Sequence, residues 1–279
     1  MRTISAQAIT AEVKRLCMEA NSYLPEDVKE RIAESCRTEQ WELARGILEI
    51  IRENYELAER QFVPICQDTG MACVFLEVGQ DVHIDGPLEE AIHEGVRQGY
   101  EEGCLRKSVV RDPLDRVNTK DNTPAMIYYD IVPGDKLKIT VAPKGFGSEN
   151  MSRIQMLKPS DGVEGVKAFV LDAVEQAGPN PCPPIVVGVG IGGTFDKAAY
   201  LAKKALMRST NVRNEDAFYA GLEEELLEKI NALGIGPQGV GGKTTALAVN
   251  IEKTATHIAG LPVAVNINCH VTRHKSAEL

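Results

Sequence analysis

Apolar residues recur at helical spacing through the first sixty residues. Ile9, Val13, Leu16 and Ala20 form one stripe, and Val28, Ile32 and Cys36 form a second after Pro25. Trp41, Ala44, Leu48, Ile51, Tyr55 and Ala58 form a longer third stripe, with Thr38 placed to cap its start. From Met71 the pattern changes. MACVFLEVG reads as a strand, GPLEEAIHEGVRQGYEEG as a helix, and MIYYDIV with LKITVAP as a strand pair around Pro133-Gly134. GVEGVKAFVLDAVEQAG then predicts a helix and PIVVGVG a buried strand. DKAAYLAKKALMRS and NEDAFYAGLEEELLEKINAL predict two more helices, and TTALAVNIE and LPVAVNIN two closing strands. No repeat, low-complexity stretch or long linker interrupts the series. The expectation is a mixed α/β (α+β) fold in one domain, residues 1–279. Its helical N-terminal region, 1–62, packs on a mixed β-sheet core with flanking helices, 63–279. Strand order cannot be read from the pattern.

Composition narrows the classes of function. The 279 residues carry 31 Lys+Arg against 40 Asp+Glu, a net charge of −9 with no dense basic block, which argues against nucleic-acid binding. No apolar run approaches the ~20 residues that span a bilayer, and the N-terminus lacks the uninterrupted apolar core of a secretory signal. A cytoplasmic protein without membrane partners is expected. Seven widely spread cysteines without a CxxC pair speak against both a disulfide framework and a zinc ribbon.

Two glycine-rich segments invite cofactor readings. Gly188-Val189-Gly190-Ile191-Gly192-Gly193 fits GxGxxG between a strand and a helix, the setting of a dinucleotide turn in an NAD-binding oxidoreductase. No second strand ending in an acidic residue follows, so a turn needing close backbone approach is the plainer reading. GPQGVGGKTT fails as a P-loop because Pro237 stands where the first glycine belongs. It stays open as an anion-approach loop. The five histidines show no paired spacing.

Three cysteines differ from the rest in their neighbours. Cys66 stands in VPICQDTGMA between a helix and a strand, Cys182 in GPNPCPPIVVG at a strand entrance, and Cys269 in VAVNINCHVTRH at a strand exit. Three thiols suit a cubane iron–sulfur cluster with one iron left open to substrate. From spacing alone, scattered structural thiols are the more common explanation.

The segments ICQDTGMA, LRKS, PKGFGSEN, NPCPP, GVGIGG, GVGGKTTALAV and NCHVTRH, in this order along almost the whole chain, resemble the class I, iron–sulfur-dependent fumarate hydratases and the related L(+)-tartrate dehydratases. The resemblance implies a [4Fe–4S] cluster held by Cys66, Cys182 and Cys269, with one iron not ligated by protein. It implies that Gln67 and Asp68 contact a dicarboxylate, that Asp68 takes part in proton transfer, and that Arg106 binds a substrate carboxylate. Arg111 competes for that role, and an Asx-type turn is the structural alternative for Asp68. Gly145 and Gly147 fall where the family brings backbone to the substrate, Gly147 being preferred here. Lys144, Asn150 and His270 are further candidates. The implied reaction is the reversible hydration of fumarate to malate, a step of the tricarboxylic acid cycle, with tartrate dehydration as the alternative. Because the sequence stops just after NCHVTRH, it resembles the α subunit of the two-subunit form. A separate β subunit carrying the swivelling domain is then expected in an α/β hetero-oligomer, and this chain alone is expected to be inactive or nearly so.

Overall fold

The computed structural model describes residues 2–279. In chain order it contains β1 (Arg2–Ser5), α1 (Ala6–Ser22), α2 (Glu26–Thr38), α3 (Glu42–Gln61), β2 (Met71–Gly79), β3 (Val82–Asp85) and α4 (Leu88–Glu102). β4 (Met126–Val132), β5 (Leu137–Lys144), the single-turn α5 (Phe146–Glu149), β6 (Arg153–Leu157), α6 (Gly162–Ala177) and β7 (Ile185–Gly193) follow. The chain ends with α7 (Phe195–Ala205), α8 (Ala217–Ala232), β8 (Ala246–Thr256), β9 (Leu261–Asn268) and β10 (Lys275–Glu278). The mixed α/β fold is present. Its contacts divide into two compact units, so the helical segment 1–62 contributes to both.

The first unit comprises 1–25, 55–146 and 273–279. Its sheet runs β10-β5-β2-β4, with β2 parallel to β4 and antiparallel to β5, and β10 antiparallel to β5. The expected hairpin of MIYYDIV and LKITVAP is therefore corrected. Both segments are strands, but β2 lies between them and takes the hydrogen bonds of each. β2 is nearly all apolar, as a strand covered on both faces must be. Ile9, Val13 and Leu16 of α1 and Ile92, Val96 and Tyr100 of α4 share one core with Val74, Leu76, Ile139 and Val141. Register sets what meets at the sheet end: Met71 faces Lys144, Cys73 faces Met126, and Lys275 faces Val141. The loop before β2, the residues after β5 and those just before β4 and β10 thus converge.

The second unit comprises 26–54 and 147–272. Its sheet runs β6-β9-β7-β8, with β7 parallel to β8 and antiparallel to β9. Side chains alternate along β7. Val187, Val189 and Ile191 join Phe169, Val170 and Val174 of α6 and Leu222, Leu226 and Ile230 of α8 in one core. The alternate positions are Gly188 and Gly190, where a Cβ would lie 2.1 Å from the Ala202 and Ala198 carbonyl oxygens of α7. Two glycines of the GxGxxG run thus lie inside a strand and let a helix lie directly on it.

Thr38 does not cap α3. It ends α2, donating its hydroxyl to the Glu34 carbonyl at 3.1 Å, and Glu39 accepts from the Gln40 and Trp41 amides instead. Trp41, expected in the buried stripe, is 55% exposed because it lies ahead of the helix, whereas Ala44, Leu48, Ile51, Tyr55 and Ala58 are buried. Among the described residues no helix is long and apolar enough to cross a membrane.

Candidate active site

In the first unit the segment Cys66–Gly70 is held from several sides. The Asp68 carboxylate accepts the Gly70 amide through Oδ1 at 3.0 Å, the expected Asx turn, and the Phe146 amide through Oδ2 at 3.0 Å. Gly70 has φ +75°, and a Cβ there would lie 2.8 Å from the Lys144 nitrogen, so glycine is required on two counts. The buried Tyr100 hydroxyl reaches the Thr69 and Gly70 carbonyls at 2.8 and 3.0 Å. Asn122 donates to the Gly70 carbonyl at 3.2 Å and accepts the Ser108 amide at 2.8 Å. The Thr69 hydroxyl donates to the Arg106 carbonyl at 3.0 Å. A backbone secured this way presents its side chains with little freedom left to lose.

Arg106 Nη1 donates to Gln67 Oε1 at 2.6 Å, so three residues singled out in the sequence, Gln67, Asp68 and Arg106, stand on one scaffold. Arg111 instead pairs with Asp115 on an exposed loop. Gly145 is the glycine against Asp68: a Cβ would sit 3.2 Å from Oδ2. Gly147, preferred from the sequence, belongs to the second unit, where a Cβ would meet only the Asn180 carbonyl at 3.9 Å. Lys144 is buried, with Nζ 3.5 Å from the Gly145 carbonyl, and Asn150 is exposed. Sequence reasoning missed Arg273, a buried arginine whose Nη2 donates to the Asp68 carbonyl at 2.6 Å. Its only sequence signal is its place in NCHVTRH.

In the second unit β7 and β9 run antiparallel with Val186 opposite Asn268. The approach to β7 and the exit of β9 therefore share one end of the sheet, which is where Cys182 and Cys269 lie. Cys182 has φ 54°, a left-handed conformation costing a non-glycine residue roughly 1–2 kcal/mol, and its amide donates to the Pro179 carbonyl at 3.0 Å. The Cys182 carbonyl accepts from the His270 amide at 3.3 Å and lies 3.0 Å from His270 Nδ1. Gln238 donates its backbone amide and Nε2 to the Pro183 carbonyl at 2.7 and 2.8 Å. His270 thus braces the Cys182 backbone.

The GVGGKTT loop approaches an anion, and the anion is the protein's own Glu39. Its Oε2 accepts the Lys243 amide at 2.9 Å and the Thr244 amide and hydroxyl at 3.0 Å each. Burial pushes the Glu39 carboxyl up, but hydrogen bonds from Trp41, Lys243 and Thr244 outweigh it and hold the group below the usual range.

The thiols sort by accessibility. Cys17, Cys36 and Cys73 are buried, Cys66 and Cys269 half-buried, and Cys104 and Cys182 exposed. Burial alone pushes the Cys17 thiol up to about 12 and burial chiefly raises that of Cys36, so neither is a ready thiolate. Among the described residues no three His, Cys, Asp or Glu side chains are gathered to hold a metal ion. Cys66 belongs to the first unit, Cys182 and Cys269 to the second. As a donor set the three fit an iron–sulfur cluster: all are sulfur, and none is sealed in a core.

A model of the fumarate hydratase (Fumerase) family matches residues 10–278. A Methanocaldococcus jannaschii protein named putative L(+)-tartrate dehydratase subunit alpha is 48% identical over 272 residues, 95% of each chain. The L(+)-tartrate dehydratase subunit alpha of Escherichia coli K12 is 34% identical over 254 residues, 90% of this chain and 84% of its own. These matches run through the anchored CQDTG loop and both strand-end cysteines alike, and they place the chain in the fumarate hydratase (Fumerase) family.

Proposed function

We propose that this chain is the α subunit of a [4Fe–4S]-dependent hydro-lyase that hydrates fumarate reversibly to malate, the step used in the tricarboxylic acid cycle. Family membership supports the reaction class, and relatives named as alpha subunits support a β partner in an α/β hetero-oligomer. The observation that carries the reading is the CQDTG loop with Arg106 bonded to Gln67. It sets a thiol and a carboxylate on one braced segment, with an exposed guanidinium bonded to that segment. Seven cysteines free of disulfides are consistent with the reducing cytoplasm.

In this reading Cys66, Cys182 and Cys269 are the protein ligands of the cluster. When bound, the cluster supplies Lewis acidity at the iron the protein does not ligate. The rest is the work of side chains. Arg106, exposed and fixed through Nη1, turns its other N–H donors to one substrate carboxylate in the bidentate geometry that a guanidinium favours. Gln67 sits beside that cation and contacts the same dicarboxylate. Asp68 moves the proton at the carbon next to the one bearing the hydroxyl, while the Gly70 and Phe146 amides fix both carboxylate oxygens in place. Gly145, packed on Asp68, or Gly147 brings backbone to the substrate. The β subunit, carrying the swivelling domain, completes the substrate contacts, so the isolated α chain is inactive or nearly so.

A second reading is L(+)-tartrate dehydration, favoured by the names of the relatives. Its substrate differs by one hydroxyl. The test is the anaerobically purified α/β complex assayed on malate and on L(+)-tartrate, comparing kcat/KM. A preference for malate supports fumarate hydration, a preference for tartrate supports the second reading, and turnover of neither sinks both.

A further inference from the structure

Arg273 is 4% exposed, and its Nε has no hydrogen-bond partner. Among the described residues it forms no ion pair; its one hydrogen bond runs from Nη2 to the Asp68 carbonyl. A buried guanidinium without a carboxylate is costly to desolvate, and a structural arginine would ordinarily come with an acidic partner. Here the fold commits it. β10 pairs with β5 from Lys275 opposite Val141, so the chain just before β10 is brought to the end of β5, where Gly145 and Phe146 meet Asp68. Tyr100, which holds the next two carbonyls, lies close enough for the Arg273 charge to act on its hydroxyl.

We infer that Arg273 is a positioning residue for the reaction: it clamps the Asp68 backbone at its carbonyl and supplies the buried positive charge that balances the anionic groups assembled at the CQDTG loop. This rests on the proposed function only for its consequence in turnover. The clamp itself is a property of the loop. The Gly70 and Phe146 amides fix the Asp68 oxygens and Arg273 fixes its carbonyl, so both ends of the residue are secured. Arg106 is the exposed, substrate-facing cation of the same loop, and Arg273 the buried, chain-facing one.

The test compares Arg273→Met and Arg273→Lys with wild type in the α/β complex, using two readouts. Hydrogen exchange at the Gly70 and Phe146 amides reads the clamp without reference to activity, and the kcat and KM of the preferred dicarboxylate read its consequence. In Arg273→Met both amides should exchange faster than in wild type. A misplaced proton-transfer group should also lower kcat about a hundredfold with KM changed less than about threefold. Arg273→Lys, which keeps the charge, should lie between, and methylguanidinium at sub-denaturing concentration should recover part of the kcat of Arg273→Met. Wild-type exchange and wild-type kcat in Arg273→Met would overturn the inference. So would equal losses in both variants with exchange raised uniformly through the first unit, which marks a merely structural arginine. Should Arg273→Met not fold, wild-type exchange at the two amides in Arg273→Lys would overturn it equally. A wild-type complex inactive on malate and tartrate would remove the functional reading, and the exchange arm would still decide the clamp.

Discussion

Arg106 Nη1 stands 2.6 Å from Gln67 Oε1, and Gln67 lies between Cys66 and Asp68 in the chain. An exposed guanidinium already fixed at one nitrogen has less freedom to lose when a carboxylate takes the others. Arg106→Met is expected to raise KM for malate roughly 10- to 100-fold, the loss of charged hydrogen bonds worth about 1.5–3 kcal/mol. Arg106→Lys should fall between. Arg111→Met should leave KM unchanged, since Arg111 is already paired with Asp115. Steady-state kinetics of the α/β complex decide this, and an unchanged KM in Arg106→Met would remove that residue from substrate binding.

The thiols should declare their roles through alkylation. In the cluster-free chain Cys104 and Cys182 are exposed and should react first, Cys66 and Cys269 more slowly, and buried Cys17, Cys36 and Cys73 only on unfolding. Anaerobic reconstitution with iron and sulfide should then protect Cys66, Cys182 and Cys269 and leave Cys104 reactive. Peptide mass mapping reads each site. Protection of Cys104 in place of any of the three would reassign the ligand set.

How much of this was legible beforehand depended on the range of the interaction. The helical stripes of α1, α4, α6 and α8 and the apolar runs of β2, β7 and β9 are local patterns, and each formed an element near where it was expected. The pairing of β4 and β5 was misjudged because a short Pro-Gly turn looks like a hairpin, while the insertion of β2 between them is a contact distant in sequence. Thr38 looked like a cap for the same local reason, while the neighbouring Glu39 takes the Gln40 and Trp41 amides ahead of α3 and, with its other oxygen, the distant Lys243 and Thr244 amides. The CQDTG loop stood out because a thiol, an amide, a carboxylate and a glycine are adjacent. Arg273 did not, since nothing near it in sequence announces that β10 pairing will bring it to Asp68.

Glu39 ties a pH dependence to the second unit. A carboxyl held below its unfolded value of about 4.3 contributes stability that is present above that pH and lost as pH falls through the folded value. Wild type should therefore exceed Glu39→Gln by about 1–3 kcal/mol near neutrality, with the gap narrowing as the medium is made more acidic than that unfolded value. Denaturant midpoints across pH measure it. A gap constant down to strongly acidic pH would show that the charge on Glu39 is not what binds the loop.

Two glycines should respond in opposite directions to the same substitution. Gly190→Ala would bring a methyl to 2.1 Å from the Ala198 carbonyl and 2.5 Å from the Ala202 amide, both backbone atoms that cannot turn aside. A loss of about 3 kcal/mol is expected, from overpacking. Gly46, inside α3, has nothing within 4 Å of a built Cβ, so Gly46→Ala should gain about 0.5–1 kcal/mol from helix propensity. Chemical denaturation of the two variants checks the pair, and a stable Gly190→Ala would mean that α7 does not lie against β7 as described.

The most direct test of the central claim is the iron and acid-labile sulfide content of the anaerobically purified chain. The account predicts about four irons and four sulfides per chain, with binding lost in Cys66→Ser, Cys182→Ser and Cys269→Ser and kept in Cys104→Ser. No iron after anaerobic reconstitution, or full loading in any of those three variants, would contradict it.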